Sequence, residues 1–174
     1  MNVRPSVLCP VDCSDASLAA LRYATAIAEH FVTRLIVLSV QPADDRDRDT
    51  ERGRDRHEQA LAALVERAFG GETVAPLCEF DVAYGTPSAE IFRVARERSC
   101  DLIVMGAGED AQGDQPAVTP GLVAAAARQL VLRIPAAPPG DVRLEDIRRQ
   151  LRQLVTPATP LSDYVRAVVG VAAA

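Results

Sequence analysis

The residues able to do chemistry in this sequence sit mainly where apolar runs end. Asp12 follows the run Ser6 to Val11, and Gly106-Ala107-Gly108 follows the run Asp101 to Met105. A carboxylate at such a position can accept hydrogen bonds from a ligand, and glycines there let backbone amides approach phosphates. Each has a plainer reading beside it: Asp12 can terminate a strand and cap the next turn, and Gly106, like Gly85, can serve turn geometry alone. Cys9 and Cys13 form a C-x-x-x-C pair, but the only histidines, His30 and His57, fall on predicted helices far from any cysteine pair, so no metal site is expected. Cys13 stands at a strand tip and is open to two readings, a redox-sensing thiol or an ordinary half-buried cysteine. No nucleophile-elbow pattern joins Ser, His and Asp, so hydrolase chemistry is not supported and no catalytic residue is assigned.

Bulk properties narrow the field further. At 174 residues the chain holds one well-buried domain plus an appendage, and 48% hydrophobic with 25% charged residues is a globular composition. The net charge of −5 repels phosphate backbones and anionic membranes, so neither nucleic acid nor membrane is expected as a partner. All 19 basic residues are arginine. Without lysine there is no Walker-type phosphate loop and no Schiff-base nucleophile. The N-terminus lacks the long apolar segment of a signal peptide, which predicts a cytoplasmic protein with Cys9, Cys13, Cys78 and Cys100 as free thiols.

The elements that must position these residues alternate along the chain. Strands are predicted at about 6–11, 35–40, 79–84 and 101–105. Leu18, Leu21, Ala24, Ala28 and Phe31 recur at helical spacing after the first, with Ser14 or Asp15 as N-cap. Asp44 to Glu58 is a charged stretch read as a solvated loop leading into a helix carrying Leu61, Leu64, Val65, Ala68 and Phe69. Gly85-Thr86-Pro87 opens a third helix with Ile91, Val94 and Ala95 inward. This β-α-β-α-β-α-β series implies an α/β fold with a doubly wound, mostly parallel open sheet. Ligands in such sheets bind at the carboxyl ends of strands near the switch in strand order, where Asp12 and Gly106 fall.

Val7-Leu8-Cys9-Pro10-Val11-Asp12-Cys13-Ser14-Asp15-Ala16-Ser17, Tyr84-Gly85-Thr86-Pro87 and Asp101-Leu102-Ile103-Val104-Met105-Gly106 resemble, in order, three signatures of the universal stress proteins. The resemblance covers roughly residues 6 to 133. It implies a Rossmann-like sheet of order 3-2-1-4-5, a homodimer, and, in members that bind it, ATP between the first and fourth strand ends. Pro10, Val11, Asp12, Val40, Gly106 and Gly108 are the positions that would line such a site. ATP-binding members carry Gly-x-x-Gly, nine residues, then Gly-Ser or Gly-Thr. Here Gly106 matches the first position, Glu109 replaces the second, and Asp110 and Asp114 add negative charge. The final pair becomes Ala125-Ala126 if residues 128–133 align with the family's last helix; alternatively Thr119-Pro120-Gly121 supplies a cap and Gly108 the missing glycine. No tightly bound cofactor is therefore expected, ATP being the one the fold class could accept. The functional expectation is a non-catalytic stress-response or regulatory protein acting through protein contacts, the alternative an ATP-binding switch, with or without slow hydrolysis.

Ile134-Pro135-Ala136-Ala137-Pro138-Pro139-Gly140 stands where the family's fifth strand is usual, and proline removes ladder donors, so a degenerate fifth strand is expected. The domain is bounded at residues 1–140, and 141–174 is read as an amphipathic helical extension. In it, Leu144, Ile147, Leu151 and Leu154 form one stripe and Leu161, Tyr164, Val165, Val168 and Val169 another. The extension is expected to dock on the sheet edge left open after the fourth strand, or on a partner subunit.

Overall fold

The computed structural model describes residues 6–12, 14–44, 50–70, 78–106, 130–134, 143–154, 159–161 and 163. Five strands form one parallel sheet: β1 (Ser6–Val11), β2 (Arg34–Gln41), β3 (Cys78–Tyr84), β4 (Leu102–Gly106) and β5 (Leu130–Ile134), in the order β3-β2-β1-β4-β5. Four helices are described: α1 (Asp15–His30), α2 (Glu51–Phe69), α3 (Pro87–Glu97) and α4 (Leu144–Leu154).

The central strands are apolar throughout because both faces are covered, as parallel sheets require. Val7, Cys9, Leu35, Val37, Leu102 and Val104 are buried with α1, α2 and α4 on one face. Leu8, Ile36, Leu38, Ile103 and Met105 are buried with Ile91, Val94 and Ala95 of α3 on the other. The amino ends of β1 and β4 are pinned together: the Ser6 amide donates to Asp101 Oδ2 at 2.9 Å and the Asp101 amide donates to the Ser6 carbonyl at 2.9 Å.

Three expectations are corrected. Residues 130–133, aligned above with a closing helix, belong to β5, which pairs with β4 from Leu102↔Leu130 to Gly106↔Ile134. The prolines begin only after that ladder ends, so the fifth strand is regular rather than degenerate. The second half of the charged stretch is helical: Thr50 caps α2, its hydroxyl accepting from the Gly53 amide at 3.1 Å, and polar residues face water along the first turns. Because β5 occupies the edge beside β4, the extension does not dock there. Instead α4 lies on α1, burying Leu144, Ile147 and Leu151 in the same cluster as Leu132 and Ile134 of β5. Leu161 joins that cluster, while Tyr164, Val165, Val168 and Val169 lie outside the described residues.

The extension is also held by charge. Arg148 donates from Nε to Glu29 Oε2 at 2.7 Å and from Nη2 to Glu29 Oε1 at 2.8 Å, a two-pronged pair with each side chain 19% exposed. No described helix is long and apolar enough to cross a membrane.

Candidate site at the carboxyl ends of the strands

The site forms where strand order reverses between β1 and β4. β1 pairs with β2 along its whole length, from Ser6↔Arg34 to Val11↔Ser39, but with β4 only at Val7↔Leu102 and Leu8↔Ile103. Pro10, two residues on, has no amide to donate to a ladder. The two central strands thus lose their pairing toward their carboxyl ends, the place where doubly wound sheets bind ligands. Pro10 and Val40 are half-buried there, Val11 is buried and Asp12 is exposed.

Asp12 does not stand alone in this crevice. Its Oδ1 accepts from the Ser14 hydroxyl at 2.6 Å and from the Ser14 amide at 3.0 Å, an Asx turn at the spacing its sequence position allows. Ser14 is also the N-cap of α1: its Oγ accepts from the Ser17 amide at 3.2 Å, and the Ser17 hydroxyl donates back to the Ser14 carbonyl at 2.9 Å. Withdrawal from water works against charge on Asp12, but hydrogen bonds from the Ser14 hydroxyl and amide and from Ser17 outweigh it and hold the carboxyl below its ordinary value. The result is a fixed carboxylate at the start of a helix, where the dipole also favours negative charge.

Gly106 ends β4 against the first turn of α1. A Cβ built on it would lie 2.6 Å from the carbonyl carbon and oxygen of Ala16 and 2.9 Å from its Cβ. Only glycine fits at that contact. Gly85 serves the far side of the sheet, where its amide donates to the Gln41 carbonyl at 2.9 Å and joins the ends of β3 and β2.

Of the positions proposed from sequence, Pro10, Val11, Asp12, Val40 and Gly106 gather at the carboxyl edge of the sheet. Gly108 lies outside the described residues, as do Cys13, Glu109, Asp110, Asp114, Thr119, Gly121 and the Ala125-Ala126 pair. Sequence reading did not single out Ala16, whose backbone dictates Gly106. His30 lies at the opposite end of α1 from Asp12, and His57 on α2 stacks edge-on to Tyr84 with ring centroids 6.0 Å apart. Among the described residues no His, Cys, Asp and Glu cluster could hold a metal ion. Cys9 and Cys100 are buried free thiols and Cys78 is a half-buried one. Burial pushes the Cys9 thiol far up, and burial with the nearby Glu79 charge pushes Cys78 up to about 11.

A parallel sheet of order 3-2-1-4-5 flanked by helices defines a Rossmann-like α/β domain. The family model for the universal stress protein family matches residues 4–116, and the chain belongs to that family. Among solved structures it is similar to the universal stress protein UspA from Lactobacillus plantarum, with 28% identity, 77% of this chain and 99% of that chain covered, and a TM-score of 0.59. It shares its fold with a universal stress protein solved in complex with cAMP, at 22% identity, covering 78% of this chain and 100% of the other, with a TM-score of 0.58. A family member from Arabidopsis thaliana with AMP bound is 17% identical, with 75% of this chain and 91% of that one covered and a TM-score of 0.50. No curated protein is significantly similar to the sequence.

Proposed function

We propose that this chain is a non-catalytic, cytoplasmic regulatory protein of the universal stress type, acting as a homodimer through protein contacts, with a strand-end crevice that does not hold ATP tightly. The observation that supports this reading is that both matched motif residues have structural employment. Asp12 is engaged by Ser14, which caps α1, and Gly106 is demanded by the backbone of Ala16. These residues are accounted for without a phosphate to bind. Sequence adds a second support: Glu109, Asp110 and Asp114 follow Gly106, and no lysine exists anywhere to offset them.

A nucleotide-dependent switch is the second reading, favoured by one specific observation. Asp12 is exposed and held ionised beside half-buried Pro10 and Val40, an arrangement in which a carboxylate can accept from ribose hydroxyls while an adenine ring rests on apolar side chains. Two solved proteins of this fold carry cAMP and AMP. Calorimetric titration with ATP, AMP and cAMP, each with Mg²⁺, separates the readings. The first expects no saturation below about 1 mM, whereas affinity near 1 μM, equivalent to roughly 8 kcal/mol, overturns it in favour of the switch.

A further inference from the structure

β3 stands at one edge of the sheet, with β2 on one side and, among the described residues, no strand on the other. Its seven residues run beside β2 from Leu35↔Cys78 to Gln41↔Tyr84 without a bulge, glycine or proline, the devices that commonly blunt such an edge. The Gly85 amide donates to the Gln41 carbonyl at 2.9 Å, so the odd residues of β3 turn their backbone groups toward β2 and the even ones turn theirs outward. Phe80 and Val82 are therefore open in two ways. Their backbone groups face away from the sheet, and their side chains lie 42% and 37% exposed on the face where Val37, opposite Phe80 in the ladder, is buried. The Val82 amide shows what the edge lacks: it donates to Asp81 Oδ1, the carboxylate of its own neighbour, at 3.0 Å.

The other face of the strand carries charge. Asp81 Oδ2 accepts from Arg98 Nη2 at 3.1 Å. Glu79, with its side chain 47% exposed, is approached by Arg34 and Arg98 only at 3.8 and 3.7 Å, beyond hydrogen-bond reach. An added strand sets one residue beside Phe80 or Val82 and the next beside Glu79 or Asp81. We propose that β3 is an acceptor edge for an extended segment of another protein in which apolar and basic residues alternate. The segment lies down as a sixth strand, its cation bonded to Glu79, and the Val82 amide exchanges Asp81 for a carbonyl of the guest. Charge complementarity selects this occupant over a second copy of the chain. Two-fold registers that bury Phe80 against Phe80 or against Val82 set Glu79 against Asp81, or Asp81 against itself. The proposal rests on the reading that the chain acts through protein contacts, and gives that reading a surface and a ligand class.

Peptide titration of the full-length protein, followed by backbone NMR and amide hydrogen exchange, tests it. The probes are a short capped peptide alternating valine and arginine and a matched one with glutamate in place of arginine. The arginine peptide should saturate below about 1 mM, bind about tenfold more tightly than the glutamate peptide, and slow exchange of the Phe80 amide. Glu79→Gln should weaken it about tenfold. Phe80→Lys, at an exposed position, should abolish binding while the melting temperature holds; if that variant does not fold, Glu79→Gln carries the test. Equal binding of both peptides, or shifts that spare β3, overturns the proposal. Concentration-dependent dimers of the wild type that Phe80→Lys dissolves give the edge to a second copy and overturn it too. Absence of saturation overturns the acceptor edge alone, since the wider reading falls to the nucleotide titration described above.

Discussion

Gly106 and Ala16 touch at the point where β4 meets the first turn of α1, with no room between them for a single methyl group. Gly106→Ala should therefore lower stability by about 1–3 kcal/mol through overpacking against backbone that cannot swing aside. Urea denaturation of the two proteins measures it. An unchanged midpoint would mean that this glycine serves a ligand rather than the fold.

The Asp12 carboxyl should give a distinct acid signature. Its folded value lies below its ordinary 3.8, so its contribution to stability is complete above that value and disappears as pH falls through the lower folded one. Asp12→Asn should melt earlier than the wild type at pH 7, and the difference should shrink as pH falls below 3.8. Ser14→Ala removes both the hydroxyl donor and the cap of α1. It should raise the Asp12 value in an NMR titration and lower stability by about 1 kcal/mol. Parallel pH curves for wild type and Asp12→Asn would refute the assignment.

α1 and α3 end in the same way and against the usual residue preference. Val32 has φ 52° and Ser99 φ 50°, each just past its helix, with Thr33 donating to the Ala28 carbonyl at 2.8 Å and Cys100 to the Ala95 carbonyl at 2.8 Å. Gly70 takes the left-handed conformation at the end of α2, with φ 55°. A β-branched residue at this position is strained. Since Val32 is 63% exposed, Val32→Gly should sacrifice little packing and raise stability by about 1 kcal/mol, read as an upward shift of the melting temperature.

The Glu29 and Arg148 pair should be coupled. Alanine at either position leaves its partner's charge half-buried, and a double-mutant cycle should return an interaction of about 1–3 kcal/mol. Ile147→Ala, within the buried seam of α4, should lower stability by about 2–5 kcal/mol. Additive effects of the two charge substitutions would show that the helix does not rely on this contact.

The sheet was legible in the sequence because Arg34 to Val40 and Asp101 to Met105 are apolar without alternation, a pattern that a strand covered on both faces permits. α2 was found only in its apolar half, since Glu51 to Glu58 carries charges that suit a helix surface and a loop equally well. β5 was misassigned because Leu130 to Ile134 is five residues long, too short for a period of 2 to be told from one of 3.6. At the site, Asp12 and its capping role could be read from a two-residue spacing. The dependence of Gly106 on Ala16 and the pairing of Arg148 with Glu29 join residues 90 and 119 positions apart, and only the folded topology brings them together.

The seating of α4 on α1 also sets an order of events during synthesis. At about 5–20 residues per second, the 20 residues from Ile134 to Leu154 take roughly one to four seconds to be added. Until α4 follows, the alanine face of α1 is bare and Glu29 lacks Arg148. A nascent chain therefore exposes a sticky, acid-edged stripe of α1 that the arrival of α4 later hides.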